Sequence, residues 1–489
     1  MSAAKNFSVS ISYPPLSSAK GSPFLSQNRQ FQWTHTDNII YPVIPASAAT
    51  LLSQNGYTVF WDDAIAEKLN YSAWLSRLLE NNPSLIAIET KTPVIKKHWH
   101  LITEIKKLLP QAVIVLMGDH VTALPTESLK KCPVDFVITG GDYDFMLLNL
   151  CRHLTHGKKL EPGFYFKKNN IITNSGRFSL KHHSLDPLPL IDRQLTKWHL
   201  YSVRNSNFKY TPGAYTMFSR DCWWGQCTFC SWTTLYPGKQ YRCFSPNRAV
   251  AEIENLVNNF KVKEIFDDSG TFPVGEWLEN FCHLIIQKKL HQKVTISCNM
   301  RFGVLNQSQY QLMAQAGFRM LLYGFESANQ KTLDKINKNN RVGNALQDLT
   351  MAKKANLFPH LTAMIGYPWE TQNDTYQTFE VVKNFFRRGL ADSIQATIVI
   401  PYPGTPLFNY CRRNKLLKTT DWDKYDMSQP VIKSRLSSTN QKKLIQQLFN
   451  GIITPKFLFN QIIHIRSFED VQHLFRYTIK FFKKLNDFS

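Results

Sequence analysis

The sequence contains no apolar run long enough to cross a membrane. A spanning helix needs about 20 consecutive apolar residues, and no segment of the 489-residue chain approaches that length. Residues 1–15 also lack the charged start and the apolar block that mark a secretion signal. We therefore predict a cytoplasmic protein with neither an anchor nor an export signal.

Low-complexity tracts and fixed-period repeats are missing too, which argues against a solenoid or a disordered chain. Hydrophobic residues make up 43% of the sequence and charged residues 19%, a composition typical of globular proteins. Because 489 residues exceed what one core normally holds, we expect two or three domains.

Acidic residues are scarce relative to basic ones, at 36 against 58, for a formal net charge of +22. Such an excess can attract nucleic acid, a membrane surface or an anionic substrate. Here the basic residues are spread along the whole chain, which favours a solvated basic surface. We therefore expect no nucleic-acid partner, and membrane contact stays a minor alternative, based on the aromatic and cationic segment 475–482.

Cysteine is present but uneven: three of the nine thiols fall in the segment 219–232, at Cys222, Cys227 and Cys230. Close spacing in a chain without an export signal favours metal binding over disulfides. One alternative is a zinc site completed by Cys243 or a distant histidine. The other is an iron–sulfur cluster, which tolerates three thiolates if its fourth iron binds something else.

The N-terminal part alternates strand and helix patterns. The apolar periodicity predicts strands at 7–13, 57–61, 85–89, 112–117 and 136–139, and helices at 45–52, 72–80 and 99–109. This rhythm predicts a doubly wound parallel sheet in residues 1–150, with ligands at the carboxyl ends of its strands. Residues 151–211 are predicted to be a connection that contains the proline-stiffened segment 185–190.

From residue 212 to residue 430 the pattern is strand then helix, repeatedly, beginning with a strand at 215–218 that leads to Cys222. Six strand ends carry polar or glycine-rich loops: the cysteine loop and the segments 267–270, 299–301, 324–327, 365–371 and 401–406. Since a closed barrel of this kind has eight units, we predict an open, partial (β/α)6 barrel with its site at the mouth. Residues 431–489 are predicted to be a helical cap.

The cysteine loop resembles that of the radical S-adenosylmethionine (SAM) enzymes, in which an aromatic residue such as Phe229 precedes the last cysteine. Their usual spacing is Cys-x3-Cys-x2-Cys, whereas this chain has Cys-x4-Cys-x2-Cys. Gly225 can absorb the extra residue because glycine adopts unusual backbone angles at little cost. The resemblance implies a [4Fe-4S] cluster on the three cysteines whose fourth iron chelates the amino and carboxylate groups of SAM.

The same resemblance assigns a set of SAM-binding positions at the barrel mouth. Phe229 and the segment 365–370 would lie beside adenine, Asp267 and Asp268 would face the methionine amino group, and Arg301 would lie near the carboxylate. Glu326 and Ser327 would offer polar contacts to ribose or methionine. The full set is Phe229, Asp267, Asp268, Arg301, Glu326, Ser327, Ile365, Gly366 and Glu370.

The N-terminal pattern resembles the cobalamin-binding domain that precedes the barrel in one subgroup of these enzymes. The positions that would face the corrin are Tyr13, Gly118, Asp119, His120, Gly140 and Gly141. The Asp-x-His-x-x-Gly signature that supplies a histidine to cobalt is absent, because Asp119 and His120 are adjacent. We therefore expect no protein histidine on cobalt. A flavodoxin-like domain without a ligand is the alternative.

The resemblance implies an enzyme that cleaves SAM reductively to start radical chemistry, with cobalamin-dependent methyl transfer to an unactivated centre as the main hypothesis. Its partners would be a small-molecule substrate and a reductase such as flavodoxin or ferredoxin. A cobalamin-containing radical cyclase or rearrangement enzyme, similar to the anaerobic magnesium-protoporphyrin ester cyclase, is the alternative. A transfer-RNA methylthiotransferase is disfavoured because only Cys132 and Cys151 precede the loop. The non-enzyme alternative is a zinc-stabilised binding protein.

Overall fold

The computed structural model describes residues 7–453 except 17, 24, 26–30, 32, 36–37, 204–207 and 239, together with residues 470, 471, 474 and 475. Most of the predicted cap beyond 453, including nearly all of 475–482, therefore lies outside the described residues. Within the described ranges, no helix is both long and apolar enough to cross a membrane.

The first domain is built on a seven-stranded sheet with the order β4-β1-β5-β6-β7-β8-β9. The strands up to the end of this sheet are β1 Ser8–Tyr13, the short pair β2 Ser22–Pro23 and β3 Trp33–Thr34, β4 Thr58–Asp63, β5 Leu85–Glu89, β6 Val113–Met117, β7 Phe136–Ile138, β8 Phe164–Lys168 and β9 Ile171–Asn174. β1, β4, β5, β6 and β7 pair in parallel, while β8 and β9 form an antiparallel hairpin at the edge. The doubly wound parallel sheet is confirmed, and the hairpin extends it into the predicted connection.

Seven helices flank this sheet in the described part of the domain: α1 Val43–Gln54, α2 Ala64–Glu67, α3 Tyr71–Asn81, α4 Ile95–Leu108, α5 Asp119–Ala123, α6 Pro125–Lys131 and α7 Tyr143–His156. Because helices cover both faces, the central strands are buried along nearly their whole length, although β1 carries Ser10 and Ser12. All five residues of β5 are buried. The predicted helix at 99–109 begins earlier, at Ile95, after a 3₁₀ turn at Thr92–Val94.

The strand order places a topological switch point between β1 and β5, because the chain moves from β1 outward to β4 and then crosses back to β5. Ligands of open α/β sheets bind in the crevice outside the carboxyl ends of the strands at such a point. Tyr13 ends β1 and Glu89 ends β5, so both residues stand at this crevice.

The second domain is a six-stranded, all-parallel sheet with the order β10-β13-β14-β15-β16-β17. The strands are β10 Gly213–Thr216, β13 Glu264–Asp267, β14 Thr295–Met300, β15 Phe318–Glu326, β16 Phe358–Ile365 and β17 Ser393–Ile398, with the hairpin β11 Ser219–Arg220 and β12 Arg242–Cys243 after β10. The predicted partial (β/α)6 barrel is confirmed. All six strands point their carboxyl ends at one edge, the barrel mouth.

The helices described after the first sheet are α8 His199–Ser202, α9 Trp232–Leu235, α10 Pro246–Phe260, α11 Glu276–Gln287, α12 Gln307–Gln315, α13 Gln330–Lys335, α14 Val342–Lys354, α15 Gln372–Arg387, α16 Pro406–Arg413 and α17 Ser438–Ile452. Local chemistry sets several of their starts. Thr371 and Asp374 form a reciprocal capping box at α15, and Ser245 caps α10, whose first residue is Pro246. The predicted division at residues 150, 211 and 430 stays a prediction.

Candidate functional site

The cysteine loop leaves the end of the barrel sheet and is closed by a short hairpin. β11 and β12 pair antiparallel, Ser219 opposite Cys243 and Arg220 opposite Arg242, so the ends of the loop are held together. Gly225 has a φ of 56°, as expected for the position that absorbs the extra residue of the loop. Asp221 also has a positive φ, 70°, and its carboxylate accepts a hydrogen bond from the Cys222 amide at 2.6 Å. The loop therefore enters the mouth in a fixed turn.

The three cysteines lie at the mouth, with Cys227 buried and Cys222 and Cys230 partly exposed. Cys222 packs on the loop after β13, where a Cβ at Gly270 would come within 2.8 Å of the Cys222 Cβ. The backbone of Thr228 joins two barrel loops, donating to the Ile336 carbonyl at 2.9 Å and accepting from the Leu407 amide at 2.8 Å. The loop is thus held from both sides of the barrel.

Cationic side chains surround the buried cysteine. Arg301 Nη1 lies 3.9 Å from Cys227 Sγ, and the same guanidinium lies over the rings of Trp223 and Trp224. Burial raises the pKa of the Cys227 thiol, and the charges of Lys338 and Arg301 oppose that rise. A thiolate formed here would therefore be neutralised by two neighbouring cations.

Lys338 was not among the predicted positions. Its ammonium donates to Glu326 Oε1 at 2.8 Å and lies 5.9 Å from the centre of the Phe229 ring. Glu326 ends β15 with a φ of 61°, a conformation that costs a non-glycine residue roughly 1 kcal/mol. Backbone strain of this kind clusters at ligand-binding positions. The pair links two predicted SAM contacts, Phe229 and Glu326, through a buried cation.

The two predicted aspartates differ in their surroundings. Asp267 is fully buried and accepts hydrogen bonds from the Phe218 amide at 2.8 Å and the Thr216 hydroxyl at 3.1 Å. It therefore fixes the end of β10, just ahead of the cysteine loop. Asp268 is the neighbour of Asn299, whose Nδ2 lies 3.4 Å from its carboxylate. A ligand contact is accordingly a better hypothesis for Asp268 than for Asp267.

The remaining SAM positions meet at the ends of β15 and β16. Ser327 donates to Glu370 Oε1 at 2.9 Å, and burial raises the pKa of Glu370 to about 7 against that hydrogen bond. Ile365 ends β16 and Gly366 follows it with a φ of 91°. The structure brings all nine predicted positions to the barrel mouth, and their roles stay predictions.

The geometry bears on what kind of metal centre fits. Among the described residues, no three His, Cys, Asp or Glu side chains converge where one metal ion could bind them all. A cubane cluster is held differently, since each thiolate binds a separate iron. The loop offers three thiols at the barrel mouth, with the cations Arg301 and Lys338 beside Cys227.

At the switch point of the first sheet, Tyr13 donates a hydrogen bond to Glu89. Glu89 was not among the positions predicted from the sequence. Burial raises the pKa of Glu89 to about 7, although Lys91 and the Tyr13 hydroxyl lower it. Lys91 is also buried, and its ammonium lies 3.7 Å from Asp119 Oδ2. A tyrosine, two acids and a lysine thus occupy the crevice.

The other predicted cobalamin positions pack against the chain itself. A Cβ at Gly118 would lie 2.0 Å from the Thr90 carbonyl oxygen, while Gly140 is covered by the Phe178 ring and Gly141 by the Tyr236 ring. Both ring nitrogens of His120 are engaged, Nδ1 with Thr92 at 3.2 Å and Nε2 with Glu127 at 3.1 Å. Both nitrogens are thus engaged within the chain, and the expectation of no protein histidine on cobalt stays a prediction.

A buried charge network joins the two domains at the hairpin. Arg220 Nη2 donates to Asp144 at 2.7 Å. Arg242 Nη2 donates to Asp142 Oδ1 at 2.9 Å, and Arg242 Nη1 lies 2.8 Å from Asp142 Oδ2. His183 Nδ1 lies 2.8 Å from Asp142, which also lies 3.3 Å from Arg220 Nη1. Burial would raise the pKa of Asp142, but His183, Arg220 and Arg242 hold it well below its usual value. The first domain therefore anchors the hairpin that closes the cysteine loop.

These observations define a class of protein, an open barrel that presents three thiols at its mouth beside a doubly wound domain. The family model of the radical SAM superfamily matches residues 216–382, which contain the cysteine loop and most of the barrel. The chain therefore contains a radical SAM domain and is an enzyme, and the zinc-stabilised binding protein is set aside. Enzymes of this class use a [4Fe-4S] cluster and SAM.

Curated relatives match this chain over most of its length. An uncharacterized methyltransferase of Pyrococcus horikoshii is 26% identical over 410 residues, which cover 83% of this chain and 86% of that protein. The anaerobic magnesium-protoporphyrin IX monomethyl ester cyclase of Cereibacter sphaeroides is 25% identical over 78% of this chain. This chain spans only 62% of that cyclase's length.

Two solved structures share the whole two-domain fold. The radical SAM methyltransferase TsrM from Kitasatospora setae, with cobalamin and a [4Fe-4S] cluster, superposes with a TM-score of 0.70 and 13% identity, covering 92% of this chain and 90% of that one. The cobalamin-dependent SAM radical enzyme OxsB superposes with a TM-score of 0.68 and 11% identity, covering 96% and 72%. The chain therefore shares its fold, over both sheets, with these two enzymes.

Proposed function

We propose that this enzyme binds cobalamin between its two domains and transfers a methyl group to an unactivated centre of a small-molecule substrate. One observation carries the proposal: the carboxyl edge of the first sheet lies against the barrel mouth. A Cβ at Gly404, in the loop after β17, would come within 2.8 Å of Ala123 of α5 and 2.6 Å of Thr234 of α9. The loop after β6 of the first sheet therefore touches the helix that follows Cys230.

Unpartnered polar atoms at this junction support a ligand there. Thr234 Oγ1 and Thr228 Oγ1 are both buried, and neither has a hydrogen-bond partner within the described part of the chain. Buried polar atoms normally have partners, so a bound group that reaches this junction would satisfy them. Because Phe178 and Tyr236 cover Gly140 and Gly141, a corrin would meet the sheet at the Tyr13–Glu89 side of the crevice.

The chain's own residues would prepare the site for radical chemistry. Cys222, Cys227 and Cys230 would hold the cluster, and the guanidinium of Arg301 would balance its negative charge beside Cys227. The ion pair of Lys338 and Glu326 would fix the end of β15 beside the SAM site. When bound, the cluster supplies the electron that splits SAM into methionine and a 5′-deoxyadenosyl radical, and a corrin supplies a cobalt that carries a methyl group from SAM to the substrate radical.

Radical methyl transfer of this kind uses two SAM molecules per turnover, one as methyl donor and one as radical source. The products would be S-adenosylhomocysteine and 5′-deoxyadenosine in equal amounts. A reductase such as flavodoxin or ferredoxin would supply two electrons per turnover, one to split SAM and one to restore the cobalt before its next methylation. The formal charge of +22 favours such acidic partners. A cytoplasmic location suits this redox chemistry and is part of the proposal.

The test is anaerobic reconstitution with iron, sulfide and hydroxocobalamin, followed by metal analysis, absorption spectra and assay of SAM cleavage. We expect about four irons and one corrin per chain, as the proposal defines. The triple variant Cys222→Ala, Cys227→Ala, Cys230→Ala should lose the iron and the cleavage, whereas the control Cys243→Ala should keep both. Retention of iron and cleavage by the triple variant would refute the cluster assignment. Failure of the wild type to retain corrin would refute the methyl-transfer proposal but not the cluster assignment.

Radical cyclisation is the second candidate, because the cyclase of Cereibacter sphaeroides matches 78% of this chain. The two functions differ in their nucleoside products. A cyclase needs no methyl donor, so it would form 5′-deoxyadenosine without a matching amount of S-adenosylhomocysteine.

A further inference from the structure

The two flanks of the cysteine loop have different surroundings. On one flank, the segment after Cys230 packs on the first domain, where the Tyr236 hydroxyl donates to the Gly141 carbonyl at 3.2 Å. On the other flank, Trp224 of the loop is partly exposed, and its Nε1 donates to the carbonyl of the exposed Asn337 at 2.7 Å, just after α13. A protein that approaches the loop from solvent therefore has the α13 flank available.

Trp224 connects this flank to the predicted cluster ligands. It lies between Cys222 and Cys227 in the sequence, and the guanidinium of Arg301 lies 5.1 Å from the centre of its ring. The same guanidinium has its Nη1 3.9 Å from Cys227 Sγ. One side chain thus separates a partly exposed ring from the buried thiol.

Two more aromatic rings continue the same flank. Trp369 donates from Nε1 to the Thr332 hydroxyl of α13 at 3.1 Å, and its ring centre lies 5.8 Å from that of Tyr410 in α16. Trp369 is partly exposed and Tyr410 is 39% exposed. The Leu407 amide of α16 donates to the Thr228 carbonyl of the loop at 2.8 Å, so α16 borders the loop directly. Exposed tryptophan and tyrosine rings are enriched at the centres of protein interfaces.

The two segments that form this flank are strongly basic. Together, residues 330–341 and 404–418 contain eight lysines and arginines and one acidic residue. Lys335 Nζ lies 5.2 Å from the centre of the Trp369 ring, and Lys331 lies one helical turn earlier on the same face of α13. Both lysines are exposed. Positive charge therefore borders the aromatic rings, an arrangement that attracts an acidic protein surface.

We propose that this flank docks an acidic flavodoxin that reduces the cluster. The inference rests on the proposed function, in which an external reductase supplies the electrons. A flavin presents a planar edge that can pack on aromatic rings, which the iron–sulfur centre of a ferredoxin lacks. Electron-transfer complexes use small interfaces, so a few residues suffice. The docking surface consists of Trp224, Lys331, Lys335, Trp369, Tyr410 and Arg413.

The step that follows docking moves one electron and no atoms. The anionic flavin hydroquinone is oxidised to the neutral semiquinone, and the cluster is reduced by one electron. The surface residues attract and orient the donor, and they take no part in the chemistry of SAM.

The experiment measures flavodoxin binding and cluster reduction in anaerobically reconstituted protein. The probe is a purified acidic flavodoxin, oxidised for calorimetric binding and in its hydroquinone form for stopped-flow reduction. In the variant Lys331→Glu, Lys335→Glu we expect about tenfold weaker binding and slower reduction at about 20 mM salt. The difference should shrink at about 500 mM salt, because surface charges are then screened. Arg413→Glu should weaken binding in the same direction. The extent of reduction by dithionite should not change.

The variant Lys289→Glu, Lys293→Glu is the matched control. It changes the net charge by the same amount at the same spacing, and both lysines are exposed. They precede β14, which begins at Thr295, so they lie at the edge of the barrel sheet opposite the mouth. The control should bind flavodoxin as wild type does.

An equal loss of binding in the two lysine variants would overturn the inference, because net charge alone would then explain it. Wild-type binding by Lys331→Glu, Lys335→Glu would also overturn it, and so would loss of iron or of dithionite reduction in that variant, since its role would then be structural. An effect confined to reduction by a ferredoxin would overturn the choice of partner. The proposed function is judged separately, from cluster loading and from SAM cleavage driven by dithionite, which need no docked protein.

Discussion

Replacement of Asp142 by asparagine should lower the stability of the whole enzyme. Asp142 lies in the first domain, whereas the predicted cluster ligands lie in the second. The side chain is fully buried and accepts a hydrogen bond from Arg242 Nη2 at 2.9 Å. It also lies 2.8 Å from Arg242 Nη1 and 2.8 Å from His183 Nδ1. Asparagine keeps the shape but loses the charge, so Arg220, Arg242 and His183 are left with fewer anions. Removal of one partner from a buried ion pair typically costs about 3–5 kcal/mol. We expect a loss of that size for Asp142→Asn.

The same network predicts a pH dependence. Burial would lower the pKa of His183, but hydrogen bonds to Asp142 and Glu161 raise it to about 9, against an unfolded value of about 6.5. Because the folded pKa is the higher one, this histidine stabilises the protein fully below about pH 6.5, and the contribution disappears as the pH rises through 9. The shift corresponds to a stabilisation on the order of 3 kcal/mol. In Asp142→Asn only Glu161 remains as a partner, so this loss should shrink.

The measurement is urea denaturation of wild type and Asp142→Asn at pH 6.5 and pH 9. Asp423→Asn serves as the control, because its carboxylate pairs with Lys96 at 3.3 Å on the surface, where such pairs contribute less than about 1 kcal/mol. We expect a large loss for Asp142→Asn and almost none for the control. Equal stability of Asp142→Asn and wild type at pH 6.5 would refute the reasoning. So would an equal loss of stability in the two proteins between pH 6.5 and pH 9.

Two further predictions concern the loops and the crevice. Gly270→Ala should lower iron loading, because the added Cβ would stand 2.8 Å from the Cys222 Cβ. The control Gly343→Ala, where no heavy atom lies within 4 Å of the added Cβ, should load iron normally and gain roughly 0.5–1 kcal/mol of stability. Equal iron loading of the two variants would contradict the packing argument. Glu89→Gln should raise stability at pH 8 by up to about 3 kcal/mol, because burial raises the pKa of Glu89 to about 7 and its charged form is unfavourable above that pH. The urea midpoint of Glu89→Gln should therefore exceed that of wild type at pH 8, while the two midpoints agree at pH 4.5. A variant that is less stable than wild type at pH 8 would contradict this prediction and show that Tyr13 and Lys91 compensate for the charge of Glu89.

The fold could be predicted from the sequence because its signals are local. Apolar runs and capping residues mark the strands and helices, and the polar ends of parallel strands must meet at one edge. Gly225 could be assigned for the same reason, since one extra loop residue needs one unusual backbone conformation, and its φ is 56°. The hairpin β8–β9 had a local signal that was not used. Asn169 and Asn170 both have positive φ, 51° and 63°, as a two-residue hairpin turn requires.

The interactions that hold the site together could not be predicted, because they join residues far apart in the chain. Asp142 meets Arg220 across 78 positions, and no local pattern distinguishes it from a residue that faces a ligand. Glu89 ends a buried strand, and only the register with β1 brings it to Tyr13. Lys338 lies in a segment without a motif, and its importance follows from its burial and from its ion pair with Glu326.

The network of Asp142, Asp144, Arg220 and Arg242 restricts how this enzyme can be divided or recombined. A barrel expressed without residues 1–150 would carry two arginines at the base of the cysteine loop with no carboxylates to receive them. A chimera that exchanges the first domain must bring acidic residues to the same two places, whatever ligand the new domain binds. Compatibility between the halves is therefore decided at the hairpin, where Arg220 lies two residues before Cys222 and Asp142 directly follows Gly141.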